Sequence, residues 1–289
     1  MPNHPCQSST AHESEPVIGC RHGDYAIGKV AMPATAQNLA PYERWRTSYL
    51  SDGRQLAGFW LVPEGGGPFP VAVFNHGSDG LLPMSMPGIR ALQDMGYATF
   101  VPIRRGHNDQ PGTYWLDRVT APWGSPEMGD QLVSALRAEL RDVMAAVNWV
   151  AQRAEVDHRR IVMLGSSFGG VLTVLALGES STLRAGVSFA GPSMTWPQAP
   201  ALQRAMLAAI ASGRAPLFLA QAYNDNSLTP TYAMGAELAR IGRPHETRVY
   251  PSIGEGPGGG HGIFGTGVEL WRQDVESFLA RSMTSRTDG

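Results

Sequence analysis

Cysteine is scarce: the chain has two in 289 residues, Cys6 and Cys20. Both fall in the N-terminal stretch, where a disulfide would close a small loop and staple no core, and two are too few for a disulfide framework. With His12 and His22 they still lack the close C-x-x-C spacing of a strong zinc site, so neither a metal nor another cofactor is expected. An excess of either charge is also missing. The 23 Lys and Arg are set against 25 Asp and Glu, a net charge of −2. Without a basic stripe to neutralise phosphates, no nucleic-acid partner is expected. No run of 18 apolar residues occurs, so no membrane span and no membrane partner is expected. A basic n-region followed by an apolar h-region is absent from the N-terminus, and the expected location is cytoplasmic.

Core-forming residues are plentiful. The chain is 43% hydrophobic and 17% charged, with 34 Gly and 22 Pro, a composition that implies a globular core and many loops between short elements. Its length suits one large α/β domain or two small ones. Residues 1 to about 40 are polar, rich in Ser, Pro, His and Gly, and without apolar period. They read as a disordered or loosely packed leader before a single domain over 41–289.

Within that domain the apolar pattern predicts eight strands, at 43–50, 55–62, 71–74, 97–103, 160–164, 185–189, 216–220 and 246–250. The first two are joined by Ser51-Asp52-Gly53, a hairpin signal. The later ones alternate with helices near 88–95, 130–153, 171–177, 200–211, 229–241 and 268–281. Asp130 is expected to cap the long second helix, and Thr229-Pro230 to open the fifth as cap and first residue. This alternation calls for an eight-stranded, mostly parallel sheet with helices on both faces.

The stretch Ile161-Val162-Met163-Leu164-Gly165-Ser166-Ser167-Phe168-Gly169-Gly170 runs from an apolar strand through G-x-S-x-G into a helix. The motif alone is weak in a glycine-rich chain, but strand, tight turn and helix are the context a nucleophile elbow needs. Ligands of open α/β sheets bind beyond the carboxyl ends of the strands. Ser167 follows the fifth strand, Asp225 the seventh and His261 the eighth, which is Ser…Asp…His in chain order. Serine needs a base to become a nucleophile, histidine titrates near neutrality, and a carboxylate fixes the imidazole tautomer. Each residue also has a plainer reading, Asp225 as an Asx-turn former and His261 as a loop residue. Ser166 is the rival nucleophile, although only Ser167 has glycine at −2 and +2. Glu255 is the rival acid, although it follows the eighth strand. The oxyanion donors are expected to be the N–H groups of Phe168 and Ser78, the latter in His76-Gly77-Ser78-Asp79-Gly80 after the third strand. His76 is expected to bond loop backbone.

These stretches, together with Phe74-Asn75-His76-Gly77, Pro102-Ile103-Arg104-Arg105-Gly106, Val156-Asp157 and His261-Gly262-Ile263-Phe264, resemble the dienelactone hydrolase-like and prolyl oligopeptidase-like branch of the α/β-hydrolase superfamily over residues 45–282. The resemblance implies a cofactor-free serine hydrolase with Ser167, Asp225 and His261 as triad and an HG-type oxyanion loop. Its expected partner is a small-molecule ester. Dienelactone hydrolases use cysteine where this chain has Ser167, and a leader of about 40 residues cannot form the propeller of prolyl oligopeptidases. A peptidase or amidase of the same fold, or a non-catalytic binding protein, are the alternatives. Arg104 and Arg105 are expected to be a structural pair. The stretches 108–128 and 191–214 are expected to wall a pocket or simply to pack.

Overall fold

Asp52 and Gly53 both have positive φ, 47° and 73°, the backbone of a tight hairpin. They fold β1 (Arg46–Ser51) back onto β2 (Arg54–Leu61) as an antiparallel pair. The computed structural model describes residues 34–284. Next in the chain are β3 (Phe69–Asn75), β4 (Ala98–Pro102), β5 (Val156–Ser166), β6 (Gly186–Phe189), β7 (Leu217–Ala222) and β8 (His245–Tyr250). The sheet order is β1-β2-β4-β3-β5-β6-β7-β8. β2 pairs antiparallel with β4, and every later pairing is parallel. Eight strands and a mostly parallel sheet match the expectation.

The central strands read as continuous apolar runs because both faces of the sheet are buried. Val71 and Val73 of β3, Ile161 and Met163 of β5, and Leu217 and Leu219 of β7 face one core layer. Ala72 and Phe74, Val162 and Leu164, and Phe218 and Ala220 alternate into the other. Burying such large apolar side chains contributes about 1.5–3 kcal/mol each, which helps offset the entropy of ordering the strands.

Helices cover both layers: α1 (Met86–Asp94), α2 (Pro126–Ala151), α3 (Phe168–Glu179), α4 (Pro200–Ser212), α5 (Thr229–Arg240), α6 (Ile263–Thr266) and α7 (Val268–Thr284). α2, α3, α4 and α5 contribute to the first layer, and α1, α6 and α7 to the second. All ten residues from Phe168 to Leu177 are buried, so α3 is apolar all round and shows no amphipathic period.

Two helix starts differ from expectation. Asp130 is exposed inside α2, and the cap is Ser125, whose hydroxyl accepts from the Met128 N–H at 3.1 Å. Ser125-Pro126 is itself a cap followed by proline at the first helical position, and it moves the cap five residues upstream. Thr229 is the first residue of α5 rather than its cap, and its N–H donates to the Ser227 hydroxyl at 3.3 Å.

The packed chain also begins before residue 40. Ala34 N–H donates to the Asp79 carbonyl at 2.6 Å and Ala36 N–H to Asp109 Oδ2 at 2.6 Å. Leu39 and Tyr42 are fully buried within the 3-10 turn Ala36–Trp45. A boundary near 40 therefore cuts a packed segment whose Pro and polar residues hid its two apolar anchors. The rest of the expected leader, with Cys6, His12, Cys20 and His22, lies outside the described residues.

Candidate active site

β5 ends at Ser166 and α3 begins at Phe168, so Ser167 alone makes the turn between them. Its φ of 55° and ψ of −119° are strained for a side chain, at a cost on the order of 1–3 kcal/mol. The surroundings impose it. Ser167 N–H donates to the Phe189 carbonyl at 2.8 Å, and the Ser167 carbonyl accepts from Gly170 at 2.8 Å and Val171 at 3.1 Å. Space decides the flanking glycines. A Cβ on Gly165 would run into the Gly169 carbonyl, and one on Gly169 into the carbonyls of Asn75 and His76. Backbone cannot yield as a side chain does, so Gly169→Ala is expected to cost about 3 kcal/mol or more. Thermal unfolding should then shift down by on the order of 10 °C. Gly66→Ala is the control, since a Cβ there meets nothing within 4 Å.

Ser167 Oγ lies 2.8 Å from His261 Nε2, and His261 Nδ1 lies 2.9 Å from Asp225 Oδ1. Side chains from the turns after β5, β7 and β8 thus make one hydrogen-bonded line at the carboxyl edge of the sheet. The rivals stand elsewhere. Ser166 is still in β5, paired with Phe189, and Glu255 is exposed.

Asn224 stitches the loops that bring Asp225 and His261 together. Its side-chain amide donates to the Ile253 and Gly256 carbonyls at 2.9 and 3.0 Å, and its Oδ1 accepts from Ile253 N–H at 3.1 Å. Gly258 N–H returns a bond to the Asn224 carbonyl at 2.7 Å. The glycines before His261 permit this approach: a Cβ on Gly260 would lie 2.5 Å from Asn224 Oδ1 and 2.7 Å from Ala222 Cβ. Neither the Asn nor the glycine run carries a recognisable motif, and the contact is what explains both.

The Asp225 side chain is fully buried. Burial works against its ionisation, but the His261 hydrogen bond and charge, Gln221 and the Asn226 N–H outweigh that and hold its pKa below the usual carboxylate value. Oδ2 accepts from Gln221 Nε2 at 2.7 Å, and Oδ1 accepts from Asn226 N–H at 2.6 Å. Ser193 adds a hydroxyl that donates to Asp225 Oδ1 at 3.1 Å and lies 3.1 Å from His261 Nδ1. Sequence reasoning missed Ser193, because nothing in Gly191-Pro192-Ser193 signals a site.

The loop after β3 stands beside Ser167, with a Cβ built on Gly77 only 3.6 Å from Ser167 Cβ. The Ser78 carbonyl accepts from the Tyr114 hydroxyl at 2.9 Å and the Trp115 indole at 3.2 Å. Phe168 opens α3, so its N–H is among the helix-start amides without an intrahelical partner. His76 bonds backbone as expected: Nδ1 donates to the Gly77 carbonyl at 2.9 Å, and Nε2 accepts from Arg104 N–H at 3.3 Å. This pattern needs the neutral ring, and burial, aided by the Arg104 charge, holds its pKa well below the usual histidine value. Arg105 is structural, clamped by Asp142 at 2.6 and 2.9 Å and by Asp52 at 2.8 Å.

Much of the two long loops packs inward. Trp115 leans on the Phe168 ring at 5.0 Å, and Met128, Trp196, Leu202 and Met206 are core. Met194 and Trp123 are exposed.

The sequence matches the prolyl oligopeptidase family over residues 85–199, a span that holds Ser167 and ends before Asp225 and His261. An esterase from Pyrococcus furiosus, Pf2001, superimposes with a TM-score of 0.62 at 19% identity, covering 88% of this chain and all of that one. The chain has the α/β-hydrolase fold. The acylaminoacyl peptidase of Pyrococcus horikoshii also superimposes with a TM-score of 0.62, at 20% identity over 84% of this chain and 42% of that one. A curated relative, the "uncharacterized 31.7 kDa protein in traX-finO intergenic region" of Escherichia coli, is 28% identical over 140 residues, 48% of this chain and 42% of the relative. The chain thus aligns with less than half the length of that relative and of the peptidase. The matched family and the superimposed structures are those of both esterases and peptidases. Among the described residues no helix is long and apolar enough to cross a membrane.

Proposed function

We propose that the protein is a serine hydrolase that cleaves small to medium carboxylic esters through an acyl-enzyme. The observation that carries this reading is the hydrogen-bonded line Ser167–His261–Asp225 with its serine on the strained turn between β5 and α3. Ser167 Oγ attacks the ester carbonyl carbon as His261 Nε2 takes its proton. The N–H groups of Phe168 and Ser78 receive the oxyanion. The tetrahedral intermediate collapses when His261 returns the proton to the departing alkoxide. Water then adds to the acyl carbon with His261 again as base, and the acid leaves as Ser167 is reprotonated. Asp225 holds the imidazole tautomer and stabilises the imidazolium.

The test is labelling with a fluorophosphonate, with the adduct located by mass spectrometry. An adduct on Ser167 is expected. One on Ser166 would move the nucleophile, and a folded chain that takes no label would sink the hydrolase reading in favour of a binding protein. A peptidase or amidase is the second reading, favoured by the prolyl oligopeptidase match. Nitrophenyl esters run against aminoacyl amides divide the two, with faster ester turnover expected.

Ser193→Ala tests the added hydroxyl. A hydrogen bond to a charged group is worth about 1.5–3 kcal/mol, so kcat/KM should fall by on the order of tenfold. Unchanged kinetics would leave Ser193 a packing residue.

A further inference from the structure

Arg104 is fully buried, yet the chemistry proposed above gives it no part. It follows β4, which lies beside β3 in the sheet, and this neighbourhood sets its guanidinium under the loop that follows β3. Nη1 donates to the His76 carbonyl and Nη2 to the Gly77 carbonyl, each at 3.0 Å. Nε is held by Glu139 Oε2 from α2 at 2.6 Å, and Glu139 Oε1 is held in turn by His107 Nε2 at 3.0 Å. Its backbone N–H bonds His76 Nε2, and its guanidinium carbon stands 6.0 Å from the Phe168 ring centre.

A trans peptide carries its N–H opposite its C=O. Two successive carbonyls turned toward one guanidinium therefore turn the N–H groups of Gly77 and Ser78 away from it. Successive amides facing one way form an anion-binding concavity, and the Cβ position of Gly77 faces Ser167. We propose that Arg104, clamped by Glu139 and His107, is the positioning residue of the oxyanion site, aiming the Ser78 N–H at the substrate oxygen while it backs the Phe168 side of the same site. This rests on the serine-hydrolase reading.

Stability is a poor account of the same contacts. A buried ion pair repays its desolvation weakly, and apolar replacement of both partners is often neutral. A planar fork with parallel donors, by contrast, fixes two adjacent carbonyls in a way that the point charge of lysine does not.

The experiment compares Arg104→Lys with Arg105→Lys. The second arginine is equally buried and paired, but it is clamped by Asp142 and Asp52. Arg104→Lys should lower ester kcat by about 10- to 100-fold, as loss of outer-shell support does, with KM within about twofold. Affinity for a trifluoromethyl ketone, whose tetrahedral adduct places an oxyanion in the site, should fall in parallel. Arg105→Lys should lower the melting temperature and leave kcat unchanged. Should Arg104→Lys fail to fold, Arg104→Met combined with Glu139→Gln keeps an acceptor for His107, leaves no buried charge unpaired, and should show the same kinetic loss. Wild-type kcat and ketone affinity in either folded variant overturn the proposal, as does a fall in melting temperature alone. Failure of the underlying reading is distinguishable, because it appears in the unmutated protein as no ester turnover and no label on Ser167.

Discussion

Ser167→Ala is expected to lower ester turnover by about 10⁴- to 10⁶-fold while the chain stays folded. Six decades correspond to about 8 kcal/mol of transition-state stabilisation, far more than the hydroxyl contributes to folding. The hydroxyl is half-buried and bonded to His261, so its removal leaves the imidazole with access to water rather than a stranded buried partner. The backbone strain at φ 55° is shared by alanine. Unfolding should therefore stay within about 1 kcal/mol of the starting protein, near the typical effect of a point substitution. Some rate above water should persist, since oxyanion donors and binding still act when one member of such a set is gone. Steady-state kinetics on a nitrophenyl ester, with thermal melts on the same sample, check both halves. Retention of most of the activity would mean that another nucleophile does the work.

Asp225→Asn should lower kcat by about 10⁴-fold, as loss of the carboxylate leaves the histidine in the wrong tautomer. The geometry explains why asparagine is a poor substitute. His261 Nδ1, Ser193 Oγ and the Asn226 and Gln221 amides all converge on the Asp225 oxygens as donors, and an amide nitrogen would face one of them. A stability signature follows with a definite sign. The folded-state pKa of Asp225 lies below the ordinary carboxylate value, so its ionisation stabilises the fold. That contribution is fully present above the unfolded value of about 3.9 and is lost as pH falls through the lower folded value. Urea unfolding of both proteins from neutral pH downward should show Asp225→Asn less stable near neutrality and the gap narrowing below about pH 4.

How much of this was legible depended on whether the signal is local. The eight strands could be read because a strand buried on both faces is an apolar run in the sequence itself, as in Val71-Ala72-Val73-Phe74. The elbow could be read because Gly165 marks a steric demand between near neighbours, its Cβ position running into the Gly169 carbonyl, although the demand at Gly169 comes from the distant Asn75 and His76 carbonyls. Helix starts were less legible. Ser125-Pro126 and Thr229-Pro230 offer similar chemistry, and which residue caps depends on where the loop before it is held. The segment 34–40 reads as leader because the burial of this stretch rests on Leu39 and Tyr42 alone, too few to set a period.

By itself the sequence determined the α/β alternation, the order Ser167, Asp225, His261, and the strand each follows. Those properties are carried by residue types at short spacing. Tertiary structure alone decided the distances. The bonds from His261 to Ser167 and Asp225 join residues 94 and 36 positions apart, and nothing local encodes that Asn224 ties their loops or that Ser193 completes the pair. The same holds for Arg104, whose partners Glu139 and Gly77 lie 35 and 27 positions away. Its neighbour Arg105 is the same residue type and serves another set of carboxylates. Pairing of adjacent strands in the sheet, not composition, set one arginine under the loop that follows β3 and the other against Asp142.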